Sequence, residues 1–554
     1  MASITDGQLQ RGRRKVPEDI LNEDILARLL DQSITRTDPD QDNENITNGR
    51  FESPIPSVYT RGCPAPSPGA GTGIFAAVDI PVGGTVMLIQ RPFVAVLDTE
   101  RLPDTCSGCL GQHHCSRDVN VELKACTGCR VVKYCNKTCQ AKDWKFAHSF
   151  ECRIFKELVP RVLPSNARAI LRMVLRSERG KYPKEELELF RKLQSHMEEI
   201  QAQNWEQWQR ISLTAKAVKK YSGCAMDEEM ICHYGAKLEL NSYNFHSPLA
   251  DRLGFYLHPY AALVNHSCDY NSVVGSDGDA LYVKALRPIR KGEEIFVSYI
   301  DATNPYRIRQ KELSERYYFK CRCAKCEKGT STREDRFLGE AEPHDLSALQ
   351  DAESAAMDVL NRVGSPQLTP SEAADEIKRA MRDLHKTSAW PITRQPMVAL
   401  RDELITCLLS EDEPYEAFVH AAIRFRLIDP IVYPEPGHPT RQMHAWVFAM
   451  LANELMVQGR PGFAFGGKKD SDSDSSAVYA AIWQSVLFYL MNEIEGSSAV
   501  PTLKKIIRRA FAEGPVQMYN HGLGRRPGEL LHFMRRAWSE LDEVINETLQ
   551  KEKA

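Results

Sequence analysis

The stretch that decides the fold is NHSCDYNS at residues 265–272, which follows the apolar run YAALV at residues 260–264. It brings an amide, an imidazole and a thiol together directly behind a buried segment. A single histidine in such a position is usually a satisfied core or turn residue, so this stretch alone predicts no chemistry. Its meaning depends on a second stretch further along the chain, CRCAKC at residues 321–326.

Cys321, Cys323 and Cys326 have the spacing of metal ligands, but no fourth ligand lies beside them. Structural zinc takes four Cys or His ligands. The missing ligand should therefore come from elsewhere in the chain, and Cys268 is the best candidate. Zinc on these four sulfur atoms would fasten a helical tail segment to the domain that contains residues 265–266. A three-cysteine surface site is the alternative that the spacing leaves open.

Composition excludes several classes of protein. The chain has 554 residues, of which 42% are hydrophobic and 26% are charged, as in a soluble globular protein of about two to four domains. The N-terminus lacks the apolar core of a signal peptide. The longest apolar run, residues 477–491, is shorter than the roughly 18–20 residues that span a bilayer. We expect an intracellular protein of the nucleus and/or cytoplasm, with no membrane partner and no disulfide framework among its 16 cysteines.

A second group of metal-ligating residue types lies between residues 106 and 152. Each Cys-x2-Cys turn can present two thiolates to one ion, so eight ligands predict two zinc ions. The gap of 16 residues in this group contains His113, His114 and Cys115, so an exchange of ligands there stays open. The eight candidates are Cys106, Cys109, Cys126, Cys129, Cys135, Cys139, His148 and Cys152.

The same block is a poor candidate for binding nucleic acid. Its seven Lys and Arg residues outnumber its four Asp and Glu residues. Seven coordinated thiolates carry more negative charge than two zinc ions neutralise, and this offsets the basic excess. A nearly neutral module has no strong electrostatic hold on a phosphate backbone. Binding of a short peptide is the more consistent expectation.

With YCNKTCQAKDWKFAHSFEC at residues 134–152, the block resembles a MYND zinc finger. The resemblance implies binding of proline-rich peptides. It also implies that the ligands interleave, which the spacing by itself does not establish. One ion would be held by Cys106, Cys109, Cys135 and Cys139, and the other by Cys126, Cys129, His148 and Cys152.

Five further motifs resemble the SET domain of the SET-and-MYND protein lysine methyltransferases. They occur in the family's order, with the finger between the first and the second, and they cover roughly residues 55–330. The helical text of residues 340–550 is similar in character to that family's TPR-like C-terminal domain. The motifs are GAGTGIFA (69–76), NSYNF (241–245), NHSC (265–268), EEIFVSYID (293–301) and RYYFKCRCAKC (316–326).

The resemblance implies methyl transfer from S-adenosylmethionine to the ε-amine of a protein lysine. That amine has a pKa near ~10.4 in water and must lose its proton before it can attack, which a narrow aromatic channel favours. Tyr299 would be the catalytic tyrosine, and Tyr256 and Tyr317 would line the channel. The residues implied to bind the cofactor are Ala70, Gly71, Thr72, Asn241, Asn265, His266, Tyr299 and Phe319.

Three positions depart from the family pattern. Ala70 and Thr72 stand where relatives often have a basic or amide side chain, and Tyr270 replaces the usual proline after the predicted zinc ligand. These departures favour an alternative function. The chain would then be a non-catalytic transcriptional or signalling adaptor that binds proline-rich peptides through the finger. Because Tyr299, Asn265 and His266 are all present, we expect an enzyme that uses one S-adenosylmethionine and three zinc ions.

We expect an α+β fold in which a β-rich SET domain is split by a finger and a helical insert. VDIPVGGTV (78–86) and RPIRKGEEI (287–295) echo each other and predict small hairpins with Gly-containing turns. Thr369 and Glu372 predict a helix capping box, and residues 466–476 predict a flexible loop. The predicted units are a mostly disordered N-terminus (1–50), the first SET part (51–103), the MYND finger (104–152), the helical insert (153–235), the second SET part (236–303), a post-SET zinc segment (304–330) and a helical C-terminal domain (331–554).

Overall fold

The computed structural model describes residues 51–553, except residues 53–54, 56, 116–120, 364–367, 460–471 and 521–526. The predicted disorder of residues 1–50 lies outside the described residues, as does most of the predicted loop at 466–476. Within the described part, sheets dominate the SET segments and helices dominate the rest. The α+β class and the all-helical C-terminal region are therefore confirmed, while the boundaries between the units stay predictions.

The strands are short and come from two separate parts of the chain. Their bounds are β1 Phe51–Glu52, β2 Val58–Thr60, β3 Gly62–Ser67, β4 Gly71–Ala76, β5 Thr85–Ile89, β6 Val94–Leu97, β7 Lys124–Ala125, β8 Lys133–Tyr134, β9 Tyr243–His246, β10 Arg252–Leu257, β11 Asn265–His266, β12 Ser272–Asp277, β13 Ala280–Ala285 and β14 Glu294–Val297.

Three sheets combine early strands with late ones. The five-stranded sheet has the order β1-β2-β5-β13-β12, the four-stranded sheet β11-β14-β4-β3 and the three-stranded sheet β6-β10-β9. Strands β7 and β8 form a separate two-stranded ribbon in the finger region. β11 pairs in parallel with β14, and through this pairing the NHSC motif is fixed to the sheet.

The two echoing segments do not form the small hairpins that their turns predict. β4 and β5 flank the first segment but belong to different sheets, as do β13 and β14 around the second. The segments instead pair with each other. Ile80 and Ile289 exchange both backbone hydrogen bonds, at 2.8 and 2.9 Å, between the β4–β14 and β5–β13 pairs. The hairpin prediction is wrong because turn residues report local reversals and carry no information about a partner so far along the chain.

The finger and the helical insert follow β6. A π-helical turn, Trp144–His148, connects the second helix to the third. The helices are α1 Gln112–Cys115, α2 Lys137–Asp143, α3 Ser149–Leu158, α4 Ser165–Glu178, α5 Lys184–Lys192, α6 Met197–Gln203, α7 Trp205–Ser222 and α8 Glu228–Asn241.

Two buried arginines of α4 join this insert to the SET sheets. Arg168 Nη2 donates to the carbonyl of Leu97 at 2.7 Å, and Arg172 Nη1 donates to that of Ala95 at 2.9 Å. Arg172 also makes a bidentate pair with Glu151 on α3, at 2.7 and 2.8 Å. A buried guanidinium is tolerated when its donors are used in this way. Arg172 therefore links the SET strand β6, the insert and the finger.

The C-terminal region is a helical array with one extensive apolar core. The capping box is confirmed: Thr369 Oγ1 accepts from the N–H of Glu372, and the Glu372 carboxylate accepts from the N–H of Thr369. A second π-helical turn spans Arg424–Ile428. The helices are α9 Tyr306–Tyr317, α10 Ala324–Glu327, α11 Arg333–Gly339, α12 Pro343–Val363, α13 Pro370–Thr387, α14 Met397–Ser410, α15 Pro414–Ile423, α16 Asp429–Val432, α17 Pro439–Gln458, α18 Asp472–Glu493, α19 Pro501–Asn520 and α20 Pro527–Lys553.

This helical core packs against the five-stranded sheet. Leu88 of β5 and Tyr282 of β13 belong to the helical core rather than to the SET core. Asp277, at the end of β12, accepts hydrogen bonds from the backbone N–H and the hydroxyl of Thr502, at 2.9 and 2.8 Å. A carboxylate at a helix N-terminus is favourable, so the sheet caps α19. Among the residues that the structure describes, we find no helix with the length and apolarity to cross a membrane.

One buried acid in the insert has an incomplete set of partners. Glu186 of α5 is 1% exposed, and its carboxylate lies 3.7 Å from His258 Nε2 and 4.0 Å from Arg91 Nη2. Within the described part of the chain, Glu186 Oε2 and His258 Nε2 have no hydrogen-bond partner. Burial raises the pKa of Glu186 to about 7, although Arg91 and Arg176 oppose the rise. The folded state therefore disfavours the charged carboxylate.

We predict that Glu186→Gln increases the free energy of unfolding at pH 8 by about 2 kcal/mol, because it removes the cost of a buried charge. A raised folded-state pKa means that the wild type loses stability as pH rises from about 4.5 towards 7, so the gain should shrink at pH 5. Urea unfolding at both pH values measures the difference. Glu188→Gln, on the exposed side of the same helix, is the control. An equal gain at both pH values would contradict the assignment.

Candidate methyl-transfer site and metal centres

The sulfur atoms of Cys268, Cys321, Cys323 and Cys326 lie within 4.8 Å of one another. The Sγ atoms of Cys268 and Cys326 are 3.5 Å apart. Four sulfurs at ~2.3 Å from one tetrahedral zinc ion would be about 3.8 Å apart, so this spacing fits a metal centre. The alternative of a three-cysteine surface site does not agree with this arrangement, because Cys268 completes the set and three of the four side chains are buried.

A buried arginine beside these sulfurs provides an independent test of the fit. Arg309 of α9 is 0% exposed, and among the described residues its Nε and Nη2 atoms have no hydrogen-bond partner. Burial alone would lower the pKa of Arg309, but the neighbouring Cys268 and Cys326 raise it. Four thiolates around one Zn²⁺ carry a net charge of about −2, which would balance this guanidinium. The residues therefore fit a metal ion held by four thiolates.

The finger has two further clusters of the same kind. The first joins Cys106, Cys109, Cys135 and Cys139, and the second joins Cys126, Cys129, His148 and Cys152. In the first, Cys109 Sγ and Cys135 Sγ are 3.9 Å apart; in the second, Cys126 Sγ and Cys152 Sγ are 3.8 Å apart. This is the interleaved grouping that the MYND resemblance implies.

The ligand exchange left open by the sequence concerns the first cluster. His113 Nδ1 lies 3.2 Å from Cys135 Sγ and 3.7 Å from Cys139 Sγ. All four cysteines nevertheless converge without it. His113 is therefore placed as a hydrogen-bonding neighbour of coordinated sulfur. The side chains of His114 and Cys115 lie outside the described residues.

Buried groups behind the second cluster orient its histidine. His148 turns Nε2 towards the sulfurs of Cys126 and Cys129, at 3.4 and 3.6 Å, and its Nδ1 lies 3.9 Å from a Glu151 carboxylate oxygen. A carboxylate behind a ligating imidazole favours the tautomer with the proton on the nearer nitrogen, although at 3.9 Å Glu151 makes no hydrogen bond to His148 Nδ1, which has no such partner among the described residues. Because Glu151 is itself held by Arg172, the metal cluster and the SET strand β6 share one polar network.

A cleft of about 2280 Å³ opens where the NHSC strand, the first glycine turn, the end of α8 and the segment after α9 meet. It brings together most of the residues that the sequence predicted for cofactor and substrate. Those that line it are Ala70, Gly71, Thr72, Asn241, Asn265, His266, Tyr299, Tyr317 and Phe319.

Asn265 is held at the floor of the cleft by an acid that the sequence analysis missed. Its Nδ2 donates to Glu294 Oε1 at 2.9 Å and approaches the carbonyl of Thr72 at 3.4 Å. The other oxygen of Glu294 accepts from Ser67 Oγ at 2.9 Å. The amide orientation leaves Asn265 Oδ1 as the atom that can accept from a ligand. Glu294 stands in the EEIF motif, but only its contact with Asn265 distinguishes it from a solvated charge.

Two glycines of the first turn keep this floor open. Gly71 has a left-handed backbone (φ +74°), and a Cβ there would meet nothing within 4 Å, so its backbone faces open space. At Gly73 a Cβ would collide with the Glu294 carboxylate and lie 2.9 Å from Asn265 Nδ2. A side chain at residue 73 is therefore incompatible with the Asn265–Glu294 pair.

Both ring nitrogens of His266 make contacts within the protein. Its Nδ1 accepts from the backbone N–H of Tyr299 at 3.0 Å, and its Nε2 lies 3.3 Å from Cys268 Sγ. Burial lowers the pKa of His266 to about 4, so the ring is neutral. Both ring nitrogens are thus engaged within the protein, so neither is left for a hydrogen bond to a bound cofactor in this arrangement. His266 instead connects the metal cluster to Tyr299.

Three tyrosine hydroxyls around the cleft all donate to backbone carbonyls. Tyr299 donates to Val264 at 2.7 Å, Tyr243 to Ala261 at 2.9 Å and Tyr317 to the carbonyl of Tyr299 at 3.2 Å. Burial raises the pKa of each phenol above its usual value. These hydroxyls therefore stay protonated at neutral pH, and each presents oxygen lone pairs, not a phenolate base, to a ligand.

Phe319 and the end of α8 complete the cleft. Phe319 lies between the zinc segment and His266, with ring centroids 5.9 Å apart. Asn241, the last residue of α8, donates from Nδ2 to the carbonyls of Lys237 and Gln194, at 2.9 and 3.2 Å. The polar atom that Asn241 has left for a ligand is therefore its carbonyl oxygen.

The channel prediction for Tyr256 is wrong. Tyr256 is 0% exposed, belongs to the apolar core of the SET region and donates to the carbonyl of Asp279 at 3.2 Å. Tyr243, its register partner across β9 and β10, lines the cleft instead. It stands in the NSYNF motif, two residues after Asn241, but the motif gives no sign of which tyrosine is buried.

Tyr270 does not disturb the turn after the zinc ligand, despite replacing proline. Its ring packs beside the cysteine cluster, and its hydroxyl lies 3.1 Å from Nε2 of His438 at the start of α17. The four sulfurs still converge. Ala70 and Thr72 line the cleft, but neither offers a cation or an amide to a carboxylate.

The chain is similar in sequence to known proteins. Residues 71–300 match the family model described as the SET domain. The SET domain and MYND-type zinc finger protein 6 of Schizosaccharomyces pombe is 31% identical and covers 48% of this chain and 52% of its own length. The histone-lysine N-methyltransferase ASHR1 of Arabidopsis thaliana is 29% identical over 47% of this chain and 53% of its own length. The N-lysine methyltransferase SMYD2 of Homo sapiens is 28% identical over 55% of this chain and 70% of its own length.

The chain spans about half the length of the first two of these relatives. A solved structure of Rubisco LSMT bound to sinefungin and monomethyllysine covers 90% of the chain, with 12% identity and a TM-score of 0.22, values too low to support an argument. The sequence relatives confirm the SET domain and the resemblance to SET-and-MYND proteins.

We predict three zinc ions per chain by elemental analysis, one for each cluster. Cys268→Ser should reduce the count to two and loosen the segment after α9, since metal binding supplies folding energy. Cys63→Ser, at an exposed thiol outside the clusters, is the control and should keep three. A wild-type count of two or fewer would remove one of the assigned centres.

Proposed function

We propose that this chain belongs to the family of SET and MYND domain-containing proteins and is an S-adenosylmethionine-dependent protein-lysine N-methyltransferase. The observation that carries the proposal is the set of Tyr243, Tyr299 and Tyr317 around one cleft. Each hydroxyl donates its proton to a backbone carbonyl, so the oxygen of each can act only as an acceptor towards a ligand in the cleft. Such a set stabilises a cation or a polarised methyl group without a charged residue.

The cofactor would lie between the glycine turn and Phe319. Asn265 Oδ1 and Asn241 Oδ1 are free to accept from its ammonium group, and the open backbone of Gly71 allows close approach. Phe319 would cover the adenine. When bound, S-adenosylmethionine would supply the methyl group. Three zinc ions would hold the finger and the segment after α9 in place.

The lysine would enter from the side of Tyr317. Its ammonium group must release a proton to solvent, which a desolvated aromatic passage favours. The neutral amine would then be the nucleophile for the methyl group that bound S-adenosylmethionine would supply, with the thioether as leaving group. Because the tyrosines remain protonated, their part is to position and polarise the reactants, and the pH dependence of turnover should follow the lysine amine.

Partners and location follow the same proposal. The substrate is a protein with an accessible lysine, histone or non-histone. Proline-rich peptides would bind the finger, where Trp144 is 45% exposed and its ring is 5.8 Å from that of His148. The protein would act in the nucleus and/or cytoplasm. An adaptor would also bind peptides through the finger, but it would not require the cleft to bind a nucleotide.

We predict that Tyr299→Phe lowers kcat about 100-fold, because it removes one preorganised hydroxyl at the reacting atoms. The melting temperature should change little, since one hydrogen bond is lost. Methyl transfer from labelled S-adenosylmethionine to a peptide array measures turnover. Tyr221→Phe, on the insert and away from the cleft, is the matched control. Unchanged turnover in Tyr299→Phe would exclude the proposed role.

We predict that Gly73→Ala weakens binding of S-adenosylmethionine at least tenfold, because the new Cβ displaces Glu294 from Asn265. Calorimetric titration of the folded protein measures the dissociation constant. Gly339→Ala, where a Cβ would make only an ordinary contact at 3.5 Å, is the control. If the wild type itself binds no S-adenosylmethionine, the adaptor hypothesis is favoured and the enzyme proposal fails.

A further inference from the structure

Tyr318 lies between two residues already assigned to the cleft, and its backbone is unusual. It ends α9 in the left-handed conformation, with φ +61° and ψ +29°. Glycine is the residue that adopts this conformation without steric cost, and it is common at helix C-termini for that reason. A bulky aromatic residue there indicates that the side chain has a use that outweighs the strain.

The side chain of Tyr318 reaches the helical insert. Its ring lies 5.2 Å from the ring of His196, with an interplanar angle of 31°. Its hydroxyl donates to Gln207 Oε1 at 3.3 Å. His196 is itself a non-glycine residue with a left-handed backbone, φ +44°. Two strained residues thus meet where the segment after α9 faces the insert, and both His196 and Gln207 line the cleft.

Both contacts of Tyr318 lead to the end of α8. Gln207 Nε2 donates to Glu239 Oε2 at 2.8 Å, two residues before Asn241. On the other side, Asn241 Nδ2 donates to the carbonyl of Gln194, two residues before His196. The residues that Tyr318 touches therefore lie beside two supports of the α8 end: Gln207 binds Glu239, and His196 is two residues from Gln194, whose carbonyl binds Asn241. The neighbouring aromatics point elsewhere: Tyr317 contacts Tyr299, with centroids 5.1 Å apart, and Phe319 faces His266.

We propose that Tyr318 is a positioning residue, which ties the metal-held segment after α9 to the helical insert and so fixes Asn241 for the ammonium group of bound S-adenosylmethionine. The inference rests on the proposed function and extends it to a residue that does not line the cleft. The cost of its strained backbone would be repaid by preorganisation of the cofactor site, since a residue already in place loses little freedom on binding.

Tyr318→Gly separates this role from a purely structural one. Glycine suits the left-handed backbone, so the melting temperature should stay equal or rise. Loss of the ring and hydroxyl should raise the dissociation constant and KM for S-adenosylmethionine at least tenfold, while kcat at saturation stays within about threefold. Tyr318→Phe keeps the ring contact and should show a smaller loss, of about threefold. The control Tyr221→Phe should match the wild type in all measurements.

Amide hydrogen exchange supplies a measurement that does not depend on the cofactor. In Tyr318→Gly, exchange at residues 238–242 should become faster in the unliganded protein, because Gln207, one of the residues that bind the end of α8, loses its contact with Tyr318. Wild-type binding and wild-type exchange in Tyr318→Gly would overturn the inference and leave the proposed function intact. Loss of one zinc ion in this variant would also overturn it, because Tyr318 would then act on the fold of the metal site. Absence of S-adenosylmethionine binding in the wild type would overturn both.

Discussion

The convergence of Cys268 with the three cysteines of residues 321–326 is the constraint on which the cleft depends. The segment after α9 contributes Phe319 to the cleft, next to Tyr317 at the end of α9, yet within the described part of the chain it has no strand pairing to hold it there. Its attachment comes from the cysteine cluster, the buried Arg309 and His266, whose imidazole joins Cys268 to the backbone of Tyr299. The cysteine cluster that holds this side of the cleft is therefore also linked to its central tyrosine.

Sequence reasoning succeeded where chemistry fixes spacing and failed where position depends on distant contacts. A Cys-x2-Cys turn limits the geometry locally, and the requirement for four ligands pointed from residues 321–326 back to Cys268. Nothing comparable separates Tyr256 from Tyr243, because their burial is decided by how β9 and β10 pack on the core. Glu294 was missed for the same reason, since an acid at the start of a strand looks like any solvated charge until its contact with Asn265 is known.

Tyr270 shows how a departure from a family pattern can be absorbed by the surrounding structure. Its ring fills space beside the cysteine cluster, and its hydroxyl meets His438 at the start of α17. Together with Asp277, which caps α19, this contact joins the strands and loops around the site to the helical array. The C-terminal helices are therefore part of the scaffold of the site and not an independent appendage. A substitution that would disrupt an isolated loop is accommodated because a second domain supports it.

The pairing of Ile80 with Ile289 has a consequence for biosynthesis. These two segments cannot pair until the finger, the insert and five of the six late SET strands have left the ribosome. At roughly 5–20 residues per second this interval is about 10–40 s. Throughout it the nascent chain carries β4 and β5 with open edges, which are templates for aggregation. Early metal loading of the finger, and chaperones that shield exposed strands, would thus govern the yield of active protein more than its final stability does.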